Sequence, residues 1–290
     1  MDSNFNKKHL FALAIMAMVA LAGCQPDPLP VDPIPQLKPR IVVSSQLVPG
    51  QTVAILLTKS FGALDANGDS DPVSLINKIA INDASVIIEN SVGEYTLTFI
   101  GNGVYGGVSI PLVYDEVYTL NVESPTMGKV TASTYVKPPV QFATLGGKFE
   151  DTGFDSLAQV HFSFQDLAGK NYYLLNAQHV TAEEPPEPTE FLNPKLSIHL
   201  FEDDPAVDGQ LVVDSIKVIF RRDSYPGDSL LVQLSNISQD YYKFLKLRKE
   251  NRFNFSDFVG EPINYPTNVQ GGLGWFTLHI PDVRVITIDP

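Results

Sequence analysis

The chain has 290 residues, with 33 acidic side chains against 20 basic ones and a single cysteine, for a formal net charge of −13 at pH 7. That balance sets nucleic acid aside as a partner, because phosphate binding depends on clustered positive charge that displaces counterions. One cysteine leaves no internal disulfide, so each folded unit must be held by its apolar core.

The first 23 residues read as a leader. Lys7 and Lys8 form a positive end, Leu10–Ala20 is apolar, and the small residues Ala22 and Gly23 precede Cys24. The apolar run is shorter than the roughly 20 residues a membrane-spanning helix needs. Its removal takes away two basic and one acidic side chain and moves the formal charge to −14. Residues 24–38 follow as a tether, where Pro26, Pro28, Pro30, Pro33 and Pro35 bar a helix and favour an extended spacer.

From residue 39 to 138 strand periodicity dominates. In Val117–Glu123, apolar Tyr118, Leu120 and Val122 alternate with Thr119, Asn121 and Glu123, as a half-buried strand requires. Residues 41–48, 52–58, 84–89, 94–100 and 129–136 follow the same rule, punctuated by Gly50, Gly93, Gly101, Gly103 and Gly128. About seven strands in 100 residues predict an immunoglobulin-like β-sandwich. Within it, Asp65, Asn67, Asp69 and Asp71 place oxygen side chains at alternate positions, as a calcium loop does. Ser70 and Ile76 stand where an EF-hand has its glycine and bidentate glutamate, so a solvated acidic turn is the competing reading.

Pro138–Pro139 predicts a boundary, and residues 139–290 a second β-rich domain, sandwich or barrel-like, with one short helix. Strands are expected at 159–165, 171–180, 196–201, 211–221, 229–235 and 274–288, with an exposed proline and acid loop at 183–188. The helix is expected at 238–250, where Ser238 caps the first turn, Asp240 sits near the positive end, and Lys246, Arg248 and Lys249 near the negative end. Lys243 and Arg252 complete a basic patch, readable as a solvated helix face or as a dock for an acidic partner or lipid headgroup.

His161, His179, His199 and His279 fall on the polar faces of their strands, without the spacing of a metal motif, and are expected to face solvent. Gly271, Gly272 and Gly274 lack a phosphate-loop lysine and read as a glycine-permitted bend feeding the last strand. On that strand Trp275, Thr277 and His279 oppose Phe276, Leu278 and Ile280. With Tyr172 and Tyr241 nearby, Trp275 and His279 form a candidate surface for a ligand or partner, though core packing explains such aromatics equally well. No catalytic residue stands out. There is no Gly-x-Ser-x-Gly elbow, and the carboxylates are too many to choose a pair, so a non-enzyme is expected.

Leu21–Ala22–Gly23–Cys24 resembles the lipobox of bacterial lipoproteins. The resemblance implies cleavage before Cys24, lipid on its sulfur and amine, and stable anchoring. Gln25 in the second mature position, where an aspartate would imply inner-membrane retention, implies the outer membrane. The order Gly103–Val104–Tyr105, Tyr118–Thr119–Leu120, Asn171–Tyr172–Tyr173, Leu234–Phe244 and Asn268–Phe276 resembles a family of Bacteroidota outer-membrane lipoproteins of unknown function, with Trp275 where that family has tyrosine or isoleucine. Members are often encoded beside TonB-dependent receptors, which implies an accessory role in nutrient uptake. A stand-alone carbohydrate- or peptide-binding protein is the alternative, and an envelope hydrolase a third.

Overall fold

Alternating side chains make the first half of the chain a pair of stacked sheets. The computed structural model describes residues 38–48, 52–61, 72–107, 109–151, 156–180, 196–202, 208–220, 229–251 and 265–287. The stretch read as leader, and that read as tether except Lys38, lie outside them. The first sandwich contains β1 (Ile41–Val48), β2 (Thr52–Lys59), α1 (Pro72–Ile79), β3 (Ser85–Glu89), β4 (Glu94–Thr96), β5 (Thr98–Gly101), β6 (Val104–Gly106), β7 (Val117–Ser124) and β8 (Gly128–Tyr135). The inward set includes Val53, Ile55, Leu57, Val86, Ile88, Tyr118, Leu120 and Val122, all buried in one core. Tyr118 donates its hydroxyl to the Pro111 carbonyl at 2.8 Å and accepts from the Val113 amide at 2.9 Å, so this buried ring closes the loop before β7. A tyrosine corner of this kind is a mark of immunoglobulin-like sandwiches.

The expected strand at 94–100 is two strands. The chain changes sheets at buried Leu97, whose amide bonds the Val86 carbonyl at 2.9 Å, so β4 pairs with β3 and β5 with β6. Helix α1 and strand β6 were not expected. Both are short, and Pro72 suits the first turn of a helix because its missing N–H would be unpaired there anyway.

The second sandwich stacks β13 (Leu211–Phe220), β10 (Ser156–Gln165) and β9 (Phe142–Asp151) on β12 (Leu196–Glu202), β11 (Tyr172–Val180), β14 (Ser229–Asn236) and β17 (Asp282–Thr287). Its core joins Ala158, Val160, Phe162 and Phe164 of β10 to Tyr173, Leu175 and Ala177 of β11 and Leu230, Val232 and Leu234 of β14. Strand β9 was not expected, because Gly146 and Gly147 interrupt its alternation. After β14 comes α2 (Gln239–Asn251), capped as expected, with the Tyr241 amide 3.2 Å from the Ser238 hydroxyl.

Residues 139–290 do not stay in the second sandwich. Past α2 the chain returns to the first one, where β15 (Val269–Gln270) pairs with β8, and β16 (Leu273–Trp275) pairs in parallel with β1. Val269, Phe276 and Leu278 are core residues of the first sandwich, which explains the return: without them its interior would lie open along that edge. Gly271 and Gly272 make the crossing from one sheet to the other. The strand expected at 274–288 is therefore interrupted. Beyond Trp275 the Ser45 hydroxyl replaces the ladder, accepting from the Thr277 amide at 2.8 Å and donating to the Thr277 carbonyl at 3.0 Å, and pairing resumes only at β17 in the other sandwich.

Asn268 holds this returning segment. Its Nδ2 donates to the carbonyls of Ser133 at 3.2 Å and Phe276 at 2.7 Å, and its Oδ1 accepts from the Phe276 amide at 2.9 Å. Asn268→Ala leaves backbone groups beside a buried phenylalanine unpaired. We expect a loss of about 2–3 kcal/mol in urea unfolding, against a control such as Asn121→Ala on the outward, half-buried face of β7. Equal stability of the two variants would mean that water replaces the amide.

Candidate functional site

Four residues singled out in the sequence, Tyr172, Tyr241, Trp275 and His279, do come together. Helix α2 lies between the end of β11 and the returning segment because its two apolar flanks face different partners. Tyr242 reaches Tyr172, with ring centroids 4.9 Å apart. Tyr241 and Phe244, three residues apart and so on one face, stack on Trp275 at 6.2 Å and 5.1 Å. Tyr241 also stacks on His279 at 6.4 Å, and Phe244 meets Tyr265 edge-on at 6.3 Å. Leu174, Ile237 and Leu245 complete the cluster.

This arrangement is a packed seam and not an open platform. Trp275 and His279 are each 8 % exposed and Tyr172 is 4 % exposed, so the ring faces are spent on one another. The expectation that His279 faces solvent is corrected by this burial. Alternation put it on the right face, opposite Phe276 and Leu278, but that face is roofed by α2. His161 is exposed as expected, whereas the side chains of His179 and His199 lie outside the described residues.

Burial sets the chemistry of the seam. It pushes the His279 imidazolium down to about 4, so the ring is neutral at pH 7. The same cause pushes the Tyr241 hydroxyl up to about 12, with Arg248 working against it. Among the described residues neither His279 Nδ1 nor Tyr172 Oη has a hydrogen-bond partner. A neutral imidazole and an un-ionised phenol can each donate or accept a hydrogen bond.

The remaining sites of the sequence reading are separate. Cys24, with Leu21, Ala22 and Gly23, and the acidic stretch Asp65, Asn67, Asp69 and Asp71 lie outside the described residues. Among the described residues no group of three or more His, Cys, Asp or Glu side chains is arranged to hold a metal ion. Nor is any described helix long and apolar enough to cross a membrane.

A surface that the sequence reading missed lies where β7 begins and β8 ends. Val117 and Tyr135 are Cα partners across the two strands, 52 % and 42 % exposed. The Ser91 amide donates to the Glu116 carboxylate at 3.0 Å, which brings the β3–β4 turn and its exposed Val92 alongside. Val113 and Tyr114 are also exposed in the adjoining turn, and Tyr135 donates to the Asp115 carboxylate. The result is an apolar tip rimmed by Asp115 and Glu116. Only Val117 and Tyr135, at the ends of alternating strands, carried a trace of it in the sequence; Val92, Val113 and Tyr114 sit in turns, where periodicity says nothing.

A family model described as a domain of unknown function, DUF4249, matches residues 27–280. The chain belongs to the DUF4249 family. The match takes in the first sandwich, the returning segment and all of the second sandwich but β17, so the strand exchange between the two halves lies inside the DUF4249 unit. Among solved structures the DUF4249 chain is similar to a two fibronectin type-III domain segment from chicken tenascin, at 10% identity over 69% of this chain and 92% of that one, with a TM-score of 0.20. None of the curated proteins matches it.

Proposed function

We propose that this DUF4249 protein is a lipid-anchored outer-membrane lipoprotein of the Bacteroidota type, acting as a non-catalytic accessory of TonB-dependent nutrient uptake. The anchor is supported by Leu21–Cys24 behind a short apolar leader and by the proline tether that follows. The binding role is supported by one observation above all, the apolar tip of Val92, Val113, Tyr114, Val117 and Tyr135. Exposed apolar side chains gathered at one place and rimmed by charge mark protein contact surfaces. The Trp275 cluster, whose rings are buried against each other, offers less to a sugar or peptide.

Two measurements test this reading. Cys24→Ala should move the protein from the membrane fraction to the soluble or loosely held fraction, and undiminished detergent-resistant membrane association would end the anchoring claim. Affinity isolation from native outer membranes in mild detergent should bring down a TonB-dependent transporter in stoichiometric amount, and Val117→Asp should lose it. Recovery of the lipoprotein alone, under conditions that keep other envelope complexes intact, would favour the stand-alone carbohydrate- or peptide-binding alternative.

A further inference from the structure

We propose that the exposed face of α2, together with Tyr265, rests on the anionic headgroups of the bilayer to which the protein is tethered. The proposal rests on the anchored reading and adds an orientation to it. Five of the 20 basic residues, Lys243, Lys246, Arg248, Lys249 and Arg252, fall within ten positions of a chain that is strongly acidic elsewhere. The first four are on α2 and exposed, while Arg252 lies outside the described residues. Lys243 is within 3.9 Å of Asp240, but among the described residues Lys246, Arg248 and Lys249 have no carboxylate within ion-pair distance.

A second feature distinguishes this face from an ordinary solvated helix. Phe244 is flanked on one side by the Arg248 guanidinium, 5.7 Å from its ring, and on another by Tyr265, which is 42 % exposed. An exposed tyrosine near the long Arg248 side chain suits a headgroup layer, where the ring sits at the boundary and the guanidinium reaches phosphate. Charge complementarity selects the occupant. A net-acidic protein held near an anionic surface is repelled from it on most sides, and a local cluster of exposed cations defines the side that turns inward. Cations spread along an exposed helix match a diffuse phosphate layer better than a single acidic ligand.

The test uses the lipidated full chain in vesicles of phosphatidylcholine alone and of phosphatidylcholine with phosphatidylglycerol, followed by hydrogen exchange. Amides of α2 should be slowed in the anionic vesicles at low salt and released at high salt, while β7 amides stay unchanged. Lys246→Gln/Lys249→Gln should weaken the contact equilibrium about 30-fold, since each basic side chain at such a surface contributes about fivefold. Lys246→Arg/Lys249→Arg should keep it and so separates lost charge from lost folding. Equal α2 exchange in the two vesicles overturns the proposal, as does protection that needs an added acidic protein and not lipid. Loss of the chain from both vesicle types would instead strike the anchoring reading.

Discussion

Gly274→Ala is expected to cost the protein about 4 kcal/mol or more and to free the returning segment from the first sandwich. Gly274 has φ near +91°, and a Cβ there would sit 2.0 Å from the Val43 carbonyl oxygen and 2.9 Å from the Val43 amide nitrogen. The obstacle is backbone of the neighbouring strand β1, which no side-chain rotation can clear. Relief requires β16 to move off β1, and Phe276 and Leu278 then leave the core, at a cost of the size seen when a buried phenylalanine is truncated, about 3–5 kcal/mol. Gly128→Ala is the matched control. Its φ is near +90° but its Cβ would have open space, so it carries only the strain of the backbone, about 1–2 kcal/mol. Urea unfolding of both variants, with limited proteolysis of residues 265–280, separates clash from strain. Equal losses in the two would show that the β1–β16 approach is looser than the structure has it.

Stability should also fall with acid through His279. In the unfolded chain its imidazole takes a proton near pH 6.5, whereas burial in the seam delays this to about 4. Above pH 6.5 both states are neutral and the residue contributes no pH dependence. Between 6.5 and about 4 the unfolded state binds more protons than the folded one, so stability is lost as the pH drops. At pH 4.5 the loss from this group amounts to about 2.5 kcal/mol. Carboxylates add their own acid response, so the comparison must be with His279→Leu, which keeps the volume and removes the proton site and the unpaired Nδ1. The variant should match or exceed the natural chain at pH 7 and lose about 2.5 kcal/mol less on going to pH 4.5. Parallel pH profiles would mean that the ring is already hydrated or paired in the folded protein.

Much of the sheet framework was legible because period-two alternation survives wherever one face of a strand is buried and the other is wet. Val117–Glu123 and Gly128–Tyr135 follow it almost residue for residue. Strands that depart from it were lost or blurred. β9 carries two adjacent glycines, and β4 and β5 divide at a corner; β14, buried on both faces, was found by its continuous apolar run and not by alternation. The aromatic residues Tyr172, Tyr241, Trp275 and His279 could be picked out by type and by strand or helix face. Whether they formed a platform or a seam could not, because that depends on α2 covering a face that alternation alone marks as outward.

By itself the sequence determined the β character of the described residues, the capped helix and the need for glycine at 271, 272 and 274, all of which rest on local sterics and on side-chain periodicity. Only the tertiary structure decided that residues 265–280 belong to the first sandwich. A two-residue and a three-residue strand are too short to announce a partner, and their pairing with β8 and β1 follows from which open edge and which unfilled core they can reach. Tertiary packing likewise turned His279 from a surface histidine into a buried neutral one and gathered Val92, Val113, Tyr114, Val117 and Tyr135 at one tip. Both outcomes are set by contacts between segments far apart in the chain, to which local propensity is blind.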